Sequence, residues 1–145
     1  SSAASDVYKR QELSYLYENG EGVEKDDKKA IELLEEAFRL QNVEAMNELS
    51  IRYLEGRGVE RNYEMAEALF NNIIALDESL SEKEKAPYNL YYQLAERYEE
   101  FAKDDNAALE AYKQGYEIEK KETKRDNKKI KAKIKALEAK LNQKK

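Results

Sequence analysis

Apolar residues recur every three or four positions along most of this chain, the period of helices with one buried face. Leu13, Leu16 and Tyr17 share one face of a first predicted helix. Ala30, Leu33, Leu34 and Ala37 share one face of a second. Between them Gly20 is placed to end the first helix, because a left-handed backbone is easy only without a Cβ. Val23 can pack back on the hairpin, and Asp26 can cap the helix that follows. Ala30 is small where two helices must cross closely. The pattern predicts an antiparallel helical hairpin.

The same hairpin is written twice. Residues 12–38 superpose on 48–74 at an offset of 36. Leu13 then matches Leu49, Ser14 matches Ser50, Tyr17 matches Tyr53, Gly20 and Gly22 match Gly56 and Gly58, Val23 matches Val59, Ala30 matches Ala66, and Leu33 matches Leu69. Asn62 takes the capping place of Asp26. A unit of this kind buries only one side of itself, so neighbours must stack to complete a core. A divergent third unit follows. Leu94, Ala95 and Tyr98 repeat the Leu–small–Tyr spacing, and Ala108, Leu109 and Tyr112 supply a second helix, but the Gly-x-Gly turn is missing and the loop is about three residues shorter. The polar stretch 77–87 reads as a linker ending in Pro87, the only proline, which suits the first turn of a helix. Ile130, Ile134, Leu137 and Leu141 form a narrow apolar seam on a Lys-rich C-terminal helix. This helix is expected to cap the open end of the last hairpin, beginning near Asp126 or continuing the helix before it.

The pattern Leu-small-x-x-Tyr-x-x-Gly-x-Gly-Val, followed by Asp or Asn and then Ala, resembles the Sel-one-like repeat family of the tetratricopeptide-like superfamily. It covers about residues 12–76. The family usually has Gly where Ser14 and Ser50 stand, and serine is still small enough for close helix contact. The resemblance implies an all-α solenoid of antiparallel hairpins wound as a right-handed superhelix. Its units are about 12–42, 43–78 and 86–121, in one repeat domain 12–121, with a basic helix over 122–145. It also implies a concave groove lined by first helices, here Tyr15 and Glu18, then Asn47, Ile51, Leu54 and Glu55, then Tyr92, Glu96 and Glu99. Packing between hairpins is an equal alternative for Ile51 and Leu54. Such a row suits a partner segment with apolar anchors and basic flanks. The family implies adaptor or scaffold roles, often in bacteria, and no catalysis.

Composition narrows the chemistry. The chain has no cysteine and no histidine, which removes disulfides, thiolate nucleophiles and the usual zinc ligands. Neither a metal nor a cofactor is expected. Glu35–Glu36, Asp26–Asp27 and Asp104–Asp105 read as polar faces and helix starts rather than acid–base pairs. Gly20-Glu21-Gly22 and Gly56-Arg57-Gly58 follow helices rather than strands, so they read as helix stops rather than phosphate loops. The net charge of −5 conceals a division: 1–119 carries 28 acidic and 14 basic residues, and 120–145 carries 12 basic and 3 acidic. The competing functional reading is therefore binding of a nucleic acid or acidic membrane through the basic end. It is disfavoured because eleven of those twelve cations are lysines without interleaved aromatics. Ser1 to Gln11, SSAASDVYKRQ, resembles translated adapter sequence, with a Ser-capped helix start as the alternative, and carries no functional weight. No signal sequence is visible, which tips the expectation toward the cytoplasm. An uncovered first unit is expected to favour self-association.

Overall fold

A computed structural model describes residues 2–145; Ser1, with the suggested Ser-capped start, lies outside them. All regular structure among the described residues is helical: α1 Ser2–Asn19, α2 Asp27–Arg39, α3 Val43–Glu55, α4 Tyr63–Leu76, α5 Pro87–Arg97, α6 Asp105–Thr123 and α7 Lys128–Gln143. None is long and apolar enough to cross a membrane. The chain divides into two compact units, one ending at Leu76 and the other spanning Asp77–Lys145.

In the first unit α1 pairs with α2, α3 pairs with α4, and α3 packs on α2. The core gathers Ile31, Leu34, Ala37, Ala45, Leu49 and Leu69, with Val7, Phe38, Tyr53 and Val59 against it. Burial of each large aliphatic side chain there contributes about 1.5–3 kcal/mol. The matched sequence positions do matched work. Ser14 Oγ donates to the Ala30 carbonyl at 2.7 Å, and Ser50 Oγ to that of Ala66 at 3.0 Å, so each serine ties the two helices of its hairpin together. The Tyr17 carbonyl accepts from Asp26 N at 2.8 Å, and the Tyr53 carbonyl from Asn62 N at 2.9 Å. Asp26 and Asn62 in turn cap their helices through Lys29 N and Met65 N, each at 3.0 Å.

Gly20 and Gly56 both take φ +71°, as helix termination requires. Gly58 is constrained twice over. Its φ is +78°, and a Cβ there would lie 2.8 Å from the Asp27 carbonyl oxygen and from Ile31 Cγ1 of α2. The turn of the second hairpin thus rests directly on the first. Gly22 has φ +74° but would carry its Cβ into open space.

Leu13, expected in the core, is 37% exposed, whereas its counterpart Leu49 is 2% exposed. Leu49 packs with Ile31, Leu34 and Ala37 of α2, the second helix of the hairpin before it. The residues read as a leader continue α1. Val7 packs on the core, Arg10 Nε pairs with Glu36 at 3.0 Å and Gln11 Nε2 donates to Glu44 at 3.3 Å.

In the second unit α5 pairs with α6, and α7 lies on α6. Pro87 opens α5. The missing glycine turn is replaced by a π-helical turn, Tyr98–Ala102, ending at Lys103 with φ +53°. The Tyr98 carbonyl still accepts from Asp104 N at 3.1 Å, and Asp104 caps α6 through Ala107 N at 3.0 Å. The tyrosine-to-cap bond therefore survives in a loop three residues shorter. Gly115 lets α6 approach α5: a Cβ would meet the Tyr92 ring at 2.6 Å and the Tyr88 carbonyl oxygen at 3.0 Å. Lys124 at φ +62° stops α6, and Asn127, rather than Asp126, caps α7 through Ile130 N at 3.1 Å. Ile130, Ile134 and Leu137 are buried, and Leu141 is half-buried.

Candidate functional site

The row expected to receive a partner has three fates. Ile51 and Leu54 are buried in α3, and Tyr92 is buried in α5, so these three side chains are taken up largely in packing. For Tyr92 the physical cause is the close crossing at Gly115. The phenol is stacked at an angle on Tyr88 and tilted against Tyr112, with ring centroids 6.3 and 6.5 Å apart. Burial and the Glu119 carboxylate hold its ionisation well above the ordinary tyrosine range.

A second group of row residues is engaged in ion pairs or hydrogen bonds with neighbouring helices. Glu18 of α1 pairs with Arg52 of α3 and, through Oε1, with Arg57 Nη1 at 3.0 Å. Arg52 is almost wholly buried, so this pair joins the two hairpins under cover rather than at the surface. Glu55 lies 3.6 Å from Arg57 Nε. In the second unit Glu96 meets Lys133 of α7 at 3.5 Å, and Glu99 accepts from Tyr112 Oη at 2.8 Å. The Lys133 ammonium also stands 5.4 Å from the Tyr112 ring centroid.

The third group is on view. Tyr15 is 55% exposed on α1, and Asn47 is half-buried on α3. In the second unit an open cleft of about 470 Å³ runs between α5 and α7. Asn89, Gln93 and Glu96 form its α5 side, Lys129, Ile130 and Lys133 its α7 side, and Leu80 and Glu84 of the linker close one end. Tyr92 lies at its base.

Residues outside the expected row complete this site. Glu119, only 6% exposed, accepts from Tyr92 Oη at 3.1 Å and from Asn127 Nδ2 at 2.7 Å. At the far end Asp105 takes Lys140 at 3.0 Å and Lys144 at 3.4 Å. The hydrogen bond from Lys140, then the charges of both lysines, hold the Asp105 carboxyl below the ordinary aspartate range. The charge division of the sequence pointed toward such pairing. Glu119 and Gly115 had no signal of their own, since one acid and one glycine in a helix look like any others. Among the described residues no group of three or more acids gathers as a metal site would need.

A family model described as Sel1 repeat matches residues 11–42 and 43–74. The crystal structure of a Sel1 repeat protein from Oxalobacter formigenes is similar over 92% of this chain and 92% of its own, at 26% identity and a TM-score of 0.49. No curated protein matches.

Proposed function

Two Sel1 repeats make up residues 11–74 of this chain, and from that premise we propose that it is a non-catalytic adaptor that binds a segment of another protein along the first helices of its hairpins. Sel1 repeats are in general protein–protein interaction modules and typically scaffolds without catalysis. The observation that carries the reading is the open cleft beside α5, where Gln93, Asn89 and Glu96 present amide and carboxylate groups next to Ile130. Ligand sites of this kind combine apolar wall with a few convergent polar groups. In the first unit the exposed Tyr15, with Glu18, Asn47 and Glu55, offers a surface of its own.

The partner expected is a protein segment with apolar anchors and basic flanks, because the row is aromatic and acidic. The test is affinity capture by the full chain at low and high salt, beside the variant Gln93→Arg with Glu96→Lys. Proteins held at high salt by the natural chain and lost from the variant are the expected result. Capture of RNA or another polyanion alone, abolished as salt rises, contradicts the adaptor reading, since lysine-driven binding to phosphates falls steeply with salt.

A further inference from the structure

Helix α7 relates to the α5–α6 hairpin as α3 relates to the α1–α2 hairpin. Each packs on the second helix of the hairpin before it. Each sends a cation to an acid of that hairpin's first helix: Arg52 to Glu18, and Lys133 to Glu96. Helix α3, however, buries seven residues, including Leu49, Ile51 and Leu54, and is backed by its own partner α4. Helix α7 buries three, Ile130, Ile134 and Leu137, and packs on α6. It follows a loop of residues 124–127.

What holds it is a short code. Glu119 grips the start through Asn127, Glu96 the middle through Lys133, and Asp105 the end through Lys140 and Lys144. Lys128, Lys129, Lys131 and Lys135 add like charge to the same helix, which Asp126 offsets only at Lys131, 3.4 Å away.

Building on the adaptor reading, we propose that α7 is a displaceable resident of the α5–α6 face, and that the segment displacing it is a basic amphipathic helix of another protein. That helix carries apolar residues at i, i+4 and i+7, as at 130, 134 and 137, and a lysine or arginine at i+3 and i+10, as at 133 and 140. The argument for this occupant is complementarity. Residues 77–119 hold 12 acids against 5 cations, and the helix that packs on α6 is one with that pattern. The open cleft between α5 and α7 gives an incoming helix its first foothold, so exchange does not require α7 to leave beforehand.

The probe is a labelled synthetic peptide with the sequence of residues 126–145, titrated against the full chain and against Lys133→Glu with Lys140→Glu, which loosens the resident helix. The peptide is expected to bind the variant at least tenfold more tightly than the natural chain. A peptide with Ile130, Ile134 and Leu137 replaced by serine is expected to bind neither. Equal affinity for both chains, no binding to either, or undiminished binding of the serine peptide overturns the proposal. Should the variant fail to fold, hydrogen exchange on the natural chain decides. Amides of α7 must exchange at least tenfold faster than those of Ala108–Gly115 in α6, and equal protection overturns the idea. If a protein is captured equally by the natural chain and by Glu96→Lys with Asp105→Lys, the displacement is overturned, and crosslinking from Gln93 decides the adaptor reading separately.

Discussion

Ser50 and Gly58 show how much one position in a repeat can carry. Ser50 was legible as a small residue where helices come close and Gly58 as part of a helix stop, and neither disclosed its bond or its neighbour. Ser50 Oγ reaches the Ala66 carbonyl of the paired helix, and a Cβ on Gly58 would strike α2 of the preceding hairpin. Gly22 repeats the backbone of Gly58 without the neighbour. Alanine at Gly22 should therefore cost about 1 kcal/mol for its positive φ. At Gly58 the same strain is joined by overpacking of about 1–3 kcal/mol. Urea unfolding of the two variants checks this: equal losses would mean that the turn does not bear on α2. The same reasoning explains Leu13, Ile51 and Leu54. Spacing assigns a side chain to a face of its helix but does not say whether anything covers that face. Leu13 lacked a cover, while Ile51 and Leu54 had one.

At the scale of the element, the helices and their order were readable because period, capping residue and glycine stop agreed in the first two hairpins, and period and capping residue in the third. The two matching repeats carry Asp26 and Asn62 at one place, and the divergent one carries Asp104 after a shorter loop. The π-helical turn was not readable, since nothing in Tyr98–Ala102 differs in type from an ordinary helix end. Nor was the role of Gly115. Alanine there gains helix propensity of about 1 kcal/mol yet must displace the Tyr92 ring, so the net expected change is destabilising, by about 1–2 kcal/mol. A rise in melting temperature for Gly115→Ala would show that α5 and α6 are not held at that distance.

Helix α7 adds an acid-sensitive contact. A carboxyl depressed by its partners, as Asp105 is by Lys140 and Lys144, contributes stability that is full above a pH of about 4 and is lost as pH falls through its lowered value. Asp105→Asn should remove that dependence and about 0.5–1 kcal/mol at neutral pH. The check is α7 amide exchange followed from pH 6 to 3, in which a variant as pH-dependent as the natural chain would contradict the assignment.

At the scale of the molecule, the division of charge was visible from the start, and its consequence was only half visible. The 12 cations after residue 119 suggested attraction either inward or toward another polyanion. Within the second unit the attraction is inward, through Lys133, Lys140 and Lys144. These pairs are partly exposed, so raising salt should speed exchange of α7 while leaving the α3–α4 amides nearly unchanged. The adaptor row was legible as a register and not as a surface, because burial depends on helix crossings that residue types do not encode. Tyr92 fell inward with the Gly115 crossing, and its neighbour Gln93 was left lining the cleft.

The account stands or falls on whether a protein segment enters that cleft. A photo-crosslinking amino acid placed at Gln93 of the full chain, beside a control at Lys121, tests it most directly. The account predicts crosslinks from Gln93 alone, resistant to high salt, to a helix-forming peptide with apolar anchors and basic flanks. Crosslinks of equal yield from both positions, or crosslinks only to nucleic acid, would contradict it.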